Sequence, residues 1–452
     1  MRDLIAEALR GQKAGYIEVH IEEAEATHIR FRGHELEEVG RSRVRGGNVR
    51  ALVGGGWGFV SFNDVEQLRR HVEQAVQQAA LVVREPVTLA PAPVVQDVVG
   101  AQAPKDIRRE SLDHKVGLLQ EYNELLWASA PLQTTTVRYG DSVRHTIFAD
   151  SEGSFVEQEH LDLSAVFVAV ARKNGDVEQA FLSVGSKGDL SVLDGRQADI
   201  AAAARRAVDL LSAQRIQGGT YTVLVDPRLA GVFVHEAFGH LSEADHVYEN
   251  PRLREIMVLG RRFGKPFLNI VDNATLPGRR GSYAYDAEGV PAAKTFLIRE
   301  GELVGRLHSR ETAAKMGEAL TGNARAINYR FPPIVRMSNT YIEPGETTFD
   351  QMLSGIDQGI YVKDSFGGQT SMEMFTFSAT EAFVIRGGKL AEPLRGVNLS
   401  GNVFQTLANI EAIGNDLEWS EGGGCGKGGQ SPLPVSTGSP HLLIRDVVIG
   451  GK

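Results

Sequence analysis

The sequence predicts an α+β fold: an N-terminal α/β domain with antiparallel strands and amphipathic helices, a strand-rich middle region, and a β-rich C-terminal domain. Three observations predict it. Long stretches alternate apolar and polar residues in the manner of half-buried strands, several separate segments carry apolar residues at helical spacing, and glycine is abundant. The 50 glycines in 452 residues are about 11% against a usual ~7%, which favours many tight turns between short strands over a helical bundle.

Taken in order, residues 2–12 have helical spacing and Tyr16 to Phe31 alternates as part of a meander. Asn48 to Phe62 reads as strand, glycine turn, strand, with Gly54 to Gly56 at the turn. In 64–84, Val65, Leu68, Val72, Val76 and Ala79 recur at three- and four-residue steps behind Asn63 and Asp64, so this is an amphipathic helix with an N-cap. Residues 85–105 hold four prolines and little periodicity and are expected to be a linker between a domain at 1–84 and the middle region at 106–214. That region opens with a helix over 106–129 and continues as strands over 132–188, broken at Gly140, Gly153 and Asn174-Gly175. A helix at about 196–213 closes it. The C-terminal domain, 215–452, opens with the apolar strand Tyr221 to Val225 and has few long helices, one near 310–316.

Composition excludes several classes. With 48 Lys and Arg against 57 Asp and Glu, the net charge of -9 has the wrong sign for broad contact with a phosphate backbone, so no direct nucleic-acid binding is expected. Cys425 is the only cysteine, so no intrachain disulfide forms and a reducing cytoplasm fits best. The acidic N-terminal start is not expected to be a signal peptide, and no apolar run reaches the ~18 residues of a membrane span.

The chemistry concentrates in two places. His235, Glu236 and His240 form an H-E-x-x-x-H pattern, one residue longer than the zinc motif H-E-x-x-H. Histidines four apart lie about 40° apart around a helix, but five apart they lie about 140° apart. One metal is shared only if the helix widens into a π-type turn or ends near Gly239, the residue best able to allow it. The second place is Gly422 to Gln430, six glycines in nine residues around Cys425. A phosphate loop fails there, because Glu421 stands where its first glycine belongs and Gly428 where Ser or Thr does. Gly424, Gly426 and Gly429 match G-x-G-x-x-G without the strand and helix that motif needs. On spacing alone Cys425 is a metal-bound thiolate, a reactive cysteine or an inert buried one.

VHEAFGH at 234–240 followed by GxCGKxGQ at 423–430 resembles the TldD branch of the TldD/PmbA family of metallopeptidases. The likeness extends to YDAEGVPA at 285–292, LSGNVFQTLANIEAIGND at 399–416, PVSTGSPHLLIRDVVIGG at 434–451 and, near the N-terminus, VRALVGGGWGFVSF at 49–62. It covers most of the chain, least securely 85–215. The resemblance implies that His235, His240 and Cys425 bind Zn2+ and that Glu236 is the general base. The other family branch lacks the metal motif, so the four residues imply the catalytic partner.

The resemblance thus implies a zinc metallopeptidase, a peptide-bond hydrolase acting on extended, unstructured peptides through a zinc-activated water and the Glu236 base. The family implies roles in peptide processing and proteolysis, and a cytoplasmic dimer formed either with itself or with a metal-free relative. Glu243, Asp245 and His246 stand as third ligands, as orienting partners of an imidazole or as ordinary polar residues. Tyr283 or Tyr285 could reach an oxyanion, although structural use is favoured, and Lys427 could favour the thiolate or bind a substrate carboxylate. Two rival readings stand beside the peptidase: a metal-independent cysteine hydrolase using Cys425, and a non-catalytic regulatory partner stabilised by zinc.

Overall fold

The computed structural model describes residues 1–82 and 85–450. Its first layer is a seven-stranded sheet assembled from both sides of the proline-rich segment. The strands β1 (Tyr16–Arg32), β2 (Glu35–Val53) and β3 (Gly56–Phe62) form an antiparallel meander. Gly54 and Gly55, with φ of 55° and 87°, make the turn into β3 because only glycine occupies the left-handed region without cost. Helix α1 (Arg2–Leu9) precedes them, and α2 (Leu68–Leu81) follows after a single turn capped by Asp64. The helix expected over 64–84 reaches Val83 and Arg84, which lie outside the described residues.

Within 85–105, a short strand β4 (Gln96–Val99) pairs in parallel with β6 (Phe155–Lys173). Its residues are almost all exposed, so no alternation marks it in the sequence. Helix α3 (Leu112–Ser129) starts at the Ser111 cap, and β5 (Thr134–Asp150), β6 and β7 (Asp176–Ser186) complete the sheet. Gly140 lies within β5 instead of ending a strand, whereas Gly153 and Gly175 have positive φ in the turns that do. Helix α4 (Gln197–Asp209) leads into the C-terminal part.

Strand parity divides this sheet into two faces. Odd-numbered residues such as Ile17, Val19, Val137, Leu163 and Phe167 are buried under the four helices in two apolar clusters. The opposite face is polar and meets the C-terminal part. There Arg50 lies 3.1 Å from Glu18 and 3.4 Å from Glu288, and Arg280 holds Asp162 at 2.6 Å.

Among the described residues the C-terminal part contains two short two-stranded sheets and two large ones. In one, β8 (Gln214–Arg215) sits at the edge, and β9 (Gly219–Val225) joins strands 358–371, 374–386, 398–402 and 442–450 in a ring closed by pairing of 358–371 with 374–386. The other sheet has six strands, including 270–273, 339–342 and 436–439. Helix α5 (Pro227–Val234) packs between the two sheets and shares their apolar core. The helix expected near 310–316 spans Arg310–Met316, capped by Ser309 and Gly317. Among the described residues no helix is long and apolar enough to cross a membrane.

Candidate metal centre

Helix α5 begins where Asp226 accepts a hydrogen bond from the Leu229 N–H at 2.9 Å, followed by Pro227 in the first turn. Its Leu229, Ala230, Phe233 and Val234 pack into the apolar core between two sheets, so the helix is fixed before it reaches the histidines. There it widens: residues 235–239 form a π-turn, and the His240 N–H donates to the His235 carbonyl, five residues back. The distortion demanded by the H-E-x-x-x-H spacing is therefore present, and it leaves the two imidazoles 5.3 Å apart.

Gly239 serves a different purpose from the expected one. Its φ of -57° and ψ of -52° are ordinary helical values. What requires glycine is Met337, whose sulfur would lie 2.0 Å from an added Cβ. The site needs close approach there, not conformational freedom.

Cys425 arrives from the other end of the chain on a hairpin of strands 424–427 and 430–434, directly opposite Leu433. The fully buried Arg336 guanidinium anchors this hairpin by donating to the carbonyls of Cys425 at 2.8 Å and Gln430 at 3.2 Å. The sulfur then lies 3.5 Å from His240 Nε2, and one donor atom each from His235, His240 and Cys425 fall within 4.8 Å of one another.

Electrostatics bind these groups into a unit. Burial pushes the Cys425 thiol up, but His235 and then His240 outweigh it and bring the pKa to about 4. Burial disfavours imidazolium at both histidines, yet the sulfur beside His235, and Glu243 and the sulfur beside His240, raise both above their ordinary value. A thiolate here needs a neighbouring positive charge, supplied by protons on the rings or by a cation. Two imidazoles and a thiolate are a zinc-type donor set. A tetrahedral zinc with bonds of about 2.3 Å to sulfur and 2.0 Å to nitrogen holds S and N about 3.5 Å apart. The buried Nδ1 of His235 has no hydrogen-bond partner, as expected of an atom reserved for another ligand. The residues fit the metal.

The neighbours sort themselves by contact. Glu243, fully buried, accepts from His240 Nδ1 at 3.0 Å and sits 3.1 Å from the Lys427 ammonium. Burial would raise its carboxyl, but His240 and Lys427 lower it to about 2. It orients the ring from behind and does not face the sulfur. Lys427 also bonds both carboxylate oxygens of Asp245, at 2.7 and 2.8 Å, and the Val335 carbonyl, so it holds the hairpin to the segment after the motif. His246 is half exposed, 3.7 Å from Glu243. Tyr283 donates to the Gly322 carbonyl and Tyr285 to Asp97, which leaves neither free for an oxyanion.

Glu236 is part-exposed, with one carboxylate oxygen 3.8 Å from His240 Nε2. With His240 it lines a cleft of about 1000 Å³ that is also lined by Gly368, Gln369, Thr370 and Met372, near the end of the 358–371/374–386 hairpin. No motif in the sequence marks these residues, because a cleft wall needs only a position in space.

Comparison with known proteins identifies the family of the chain. Domain 1, the central domain and the C-terminal domain of PmbA/TldA metallopeptidases match residues 17–80, 105–215 and 218–451 respectively. A metalloprotease of Synechocystis is 51% identical over 441 residues, covering 97% of this chain and 95% of that one. A zinc metalloprotease TldD homolog of Saccharolobus solfataricus is 30% identical over 416 residues, 90% of each chain. The crystal structure of TldE from Thermococcus kodakarensis superposes with a TM-score of 0.77 over the whole of both chains at 18% identity, a likeness of fold. The chain belongs to the PmbA/TldA metallopeptidase family.

Proposed function

We propose that this protein is a zinc-dependent peptidase that hydrolyses extended, unstructured peptides, with His235, His240 and Cys425 as the metal ligands and Glu236 as the general base. The observation that carries the reading is the convergence of those three donor atoms beside a carboxylate that faces an open cleft. Zinc, when bound, supplies a Lewis acid and brings the pKa of a bound water towards about 7. Glu236 stands at the edge of the cleft, placed to take the water's proton and return it to the leaving amine. Glu243 holds the His240 ring so that Nε2 faces the sulfur, and Lys427 keeps Glu243 ionised in a buried setting. The cleft admits a peptide in extended form, recognised through its main chain.

The reading includes a cytoplasmic dimer, with a second copy or with a metal-free relative of the same fold, as the likeness to TldE suggests. Elemental analysis with an unstructured-peptide assay tests it. Wild type should hold about one zinc and cleave, Glu236→Gln should keep zinc and lose cleavage, and Cys425→Ala should lose both. Full zinc and full activity in Cys425→Ala would sink the ligand assignment. Thiol alkylation that abolishes activity of the metal-free protein would instead favour a cysteine hydrolase.

A further inference from the structure

The polar face of the seven-stranded sheet and the C-terminal part leave a space between them. Register places His20 between Asn48 and Phe148, and Arg144 directly opposite His160. Over these residues lie segments 280–287, 325–333 and 432–434, and a cavity of about 420 Å³ remains between the layers. That volume suits a small molecule. The cavity shares no lining residue with the cleft beside Glu236 and His240. Leu433, on its wall, is the register partner of Cys425, so the cavity lies behind the cysteine hairpin.

Its walls carry more positive than negative charge. Asp162 is engaged by Arg280. Arg144 donates to the Ile327 carbonyl, and its nearest carboxylate, Glu22, is 3.9 Å away. Arg325 stacks over Tyr283 at 5.0 Å and donates to the carbonyls of Met337 and Pro434. Lys187, half-buried, makes no hydrogen bond or ion pair with any described residue. Burial, then Arg144, Lys187 and Arg325, hold the His160 imidazole well below its ordinary pKa. The buried Asn48 adds an acceptor: its Nδ2 donates to the Tyr329 carbonyl at 2.9 Å, while its Oδ1 has no partner. A buried acceptor without a partner is unfavourable unless something satisfies it.

We propose that this cavity binds a small organic carboxylate that also carries a hydrogen-bond donor and an apolar group. The carboxylate would sit against Arg144 and Lys187, the donor at Asn48 Oδ1, and the apolar group among Phe148, Leu161 and Leu433. A single negative charge suits the site better than a phosphate dianion, because Glu22, Asp162 and Asp286 remain in the wall.

Calorimetric titration of the full-length protein tests this with three probes: N-acetylphenylalanine, its uncharged amide, and inorganic phosphate. The carboxylate should bind with a millimolar or tighter Kd and the amide at least tenfold more weakly, with phosphate weaker than the carboxylate. Lys187→Gln and, separately, Arg144→Gln should each weaken carboxylate binding about tenfold, in variants whose melting temperatures confirm folding. Binding unaffected by both substitutions would place the carboxylate outside this cavity and overturn the assignment. So would phosphate binding as tightly as N-acetylphenylalanine, or no binding by any probe, which would make the space a water-filled seam.

Discussion

His240 Nδ1 and Glu243 Oε2 lie 3.0 Å apart, with Glu243 wholly inside the protein and the Lys427 ammonium 3.1 Å from the same oxygen. A buried carboxylate behind a histidine fixes which ring nitrogen faces forward and makes that nitrogen a better donor. Glu243→Gln should therefore lower zinc affinity about 10- to 100-fold, measured by competition with a chelator, while Glu236→Gln stays within a few-fold of wild type. Equal affinities for Glu243→Gln and wild type would reduce the pair to a structural contact.

Removing the cation from the same network has a stability cost. Lys427→Met leaves Glu243 and Asp245 without their ammonium and should destabilise by about 3–5 kcal/mol, the range for breaking a buried pair by deleting one partner. Denaturant unfolding of the zinc-loaded and zinc-free forms checks it. A change under about 1 kcal/mol in both forms would mean water replaces the lysine.

Gly239 and Met337 form a second tight relationship. Gly239→Ala places a methyl group against the Met337 sulfur and should cost about 1–3 kcal/mol, as overpacking does. Because the obstacle is a flexible thioether, Gly239→Ala combined with Met337→Ala should lose less than the sum of the two single changes. Additive losses would show that Gly239 matters for the π-turn itself.

Asp226 caps α5 from a buried position, and burial, reinforced by Asp364, pushes its carboxyl up to about 7. A group whose folded pKa exceeds its unfolded value stabilises fully below the unfolded pKa and loses that contribution as pH rises through the folded one. The loss therefore runs from about pH 4 to pH 7, and by pH 8 approaches about 4 kcal/mol. Asn keeps the accepting oxygen without ionising. Asp226→Asn should gain stability relative to wild type as pH rises from 4 to 8, followed by thermal melts at each pH. A difference independent of pH would mean Asp226 stays ionised throughout.

Much of the fold was legible because its signals are local. Alternation in Tyr16 to Phe31 and the spacing of Val65, Leu68 and Val72 report directly on which residues face a core. The strand at Gln96–Val99 was not legible, since an exposed edge segment has no buried face to leave a pattern. Gly140 misled for a related reason: glycine permits a turn but does not force one, and pairing of β5 with both β1 and β6 overrides it.

At the site, the residue types and one geometric demand were readable from the chain alone. Two histidines five apart cannot share a metal on a regular helix, and the π-turn at 235–239 meets that requirement. Tertiary packing settles everything else. It brings Cys425 within 3.5 Å of a histidine 185 residues away, puts Glu243 behind that ring, and sends Tyr283 and Tyr285 to other tasks. Distances between residues far apart in the chain are set by core packing and sheet register. The Arg336 anchor on the cysteine hairpin and the helix held between two sheets belong to that level, and no local pattern of residues encodes them.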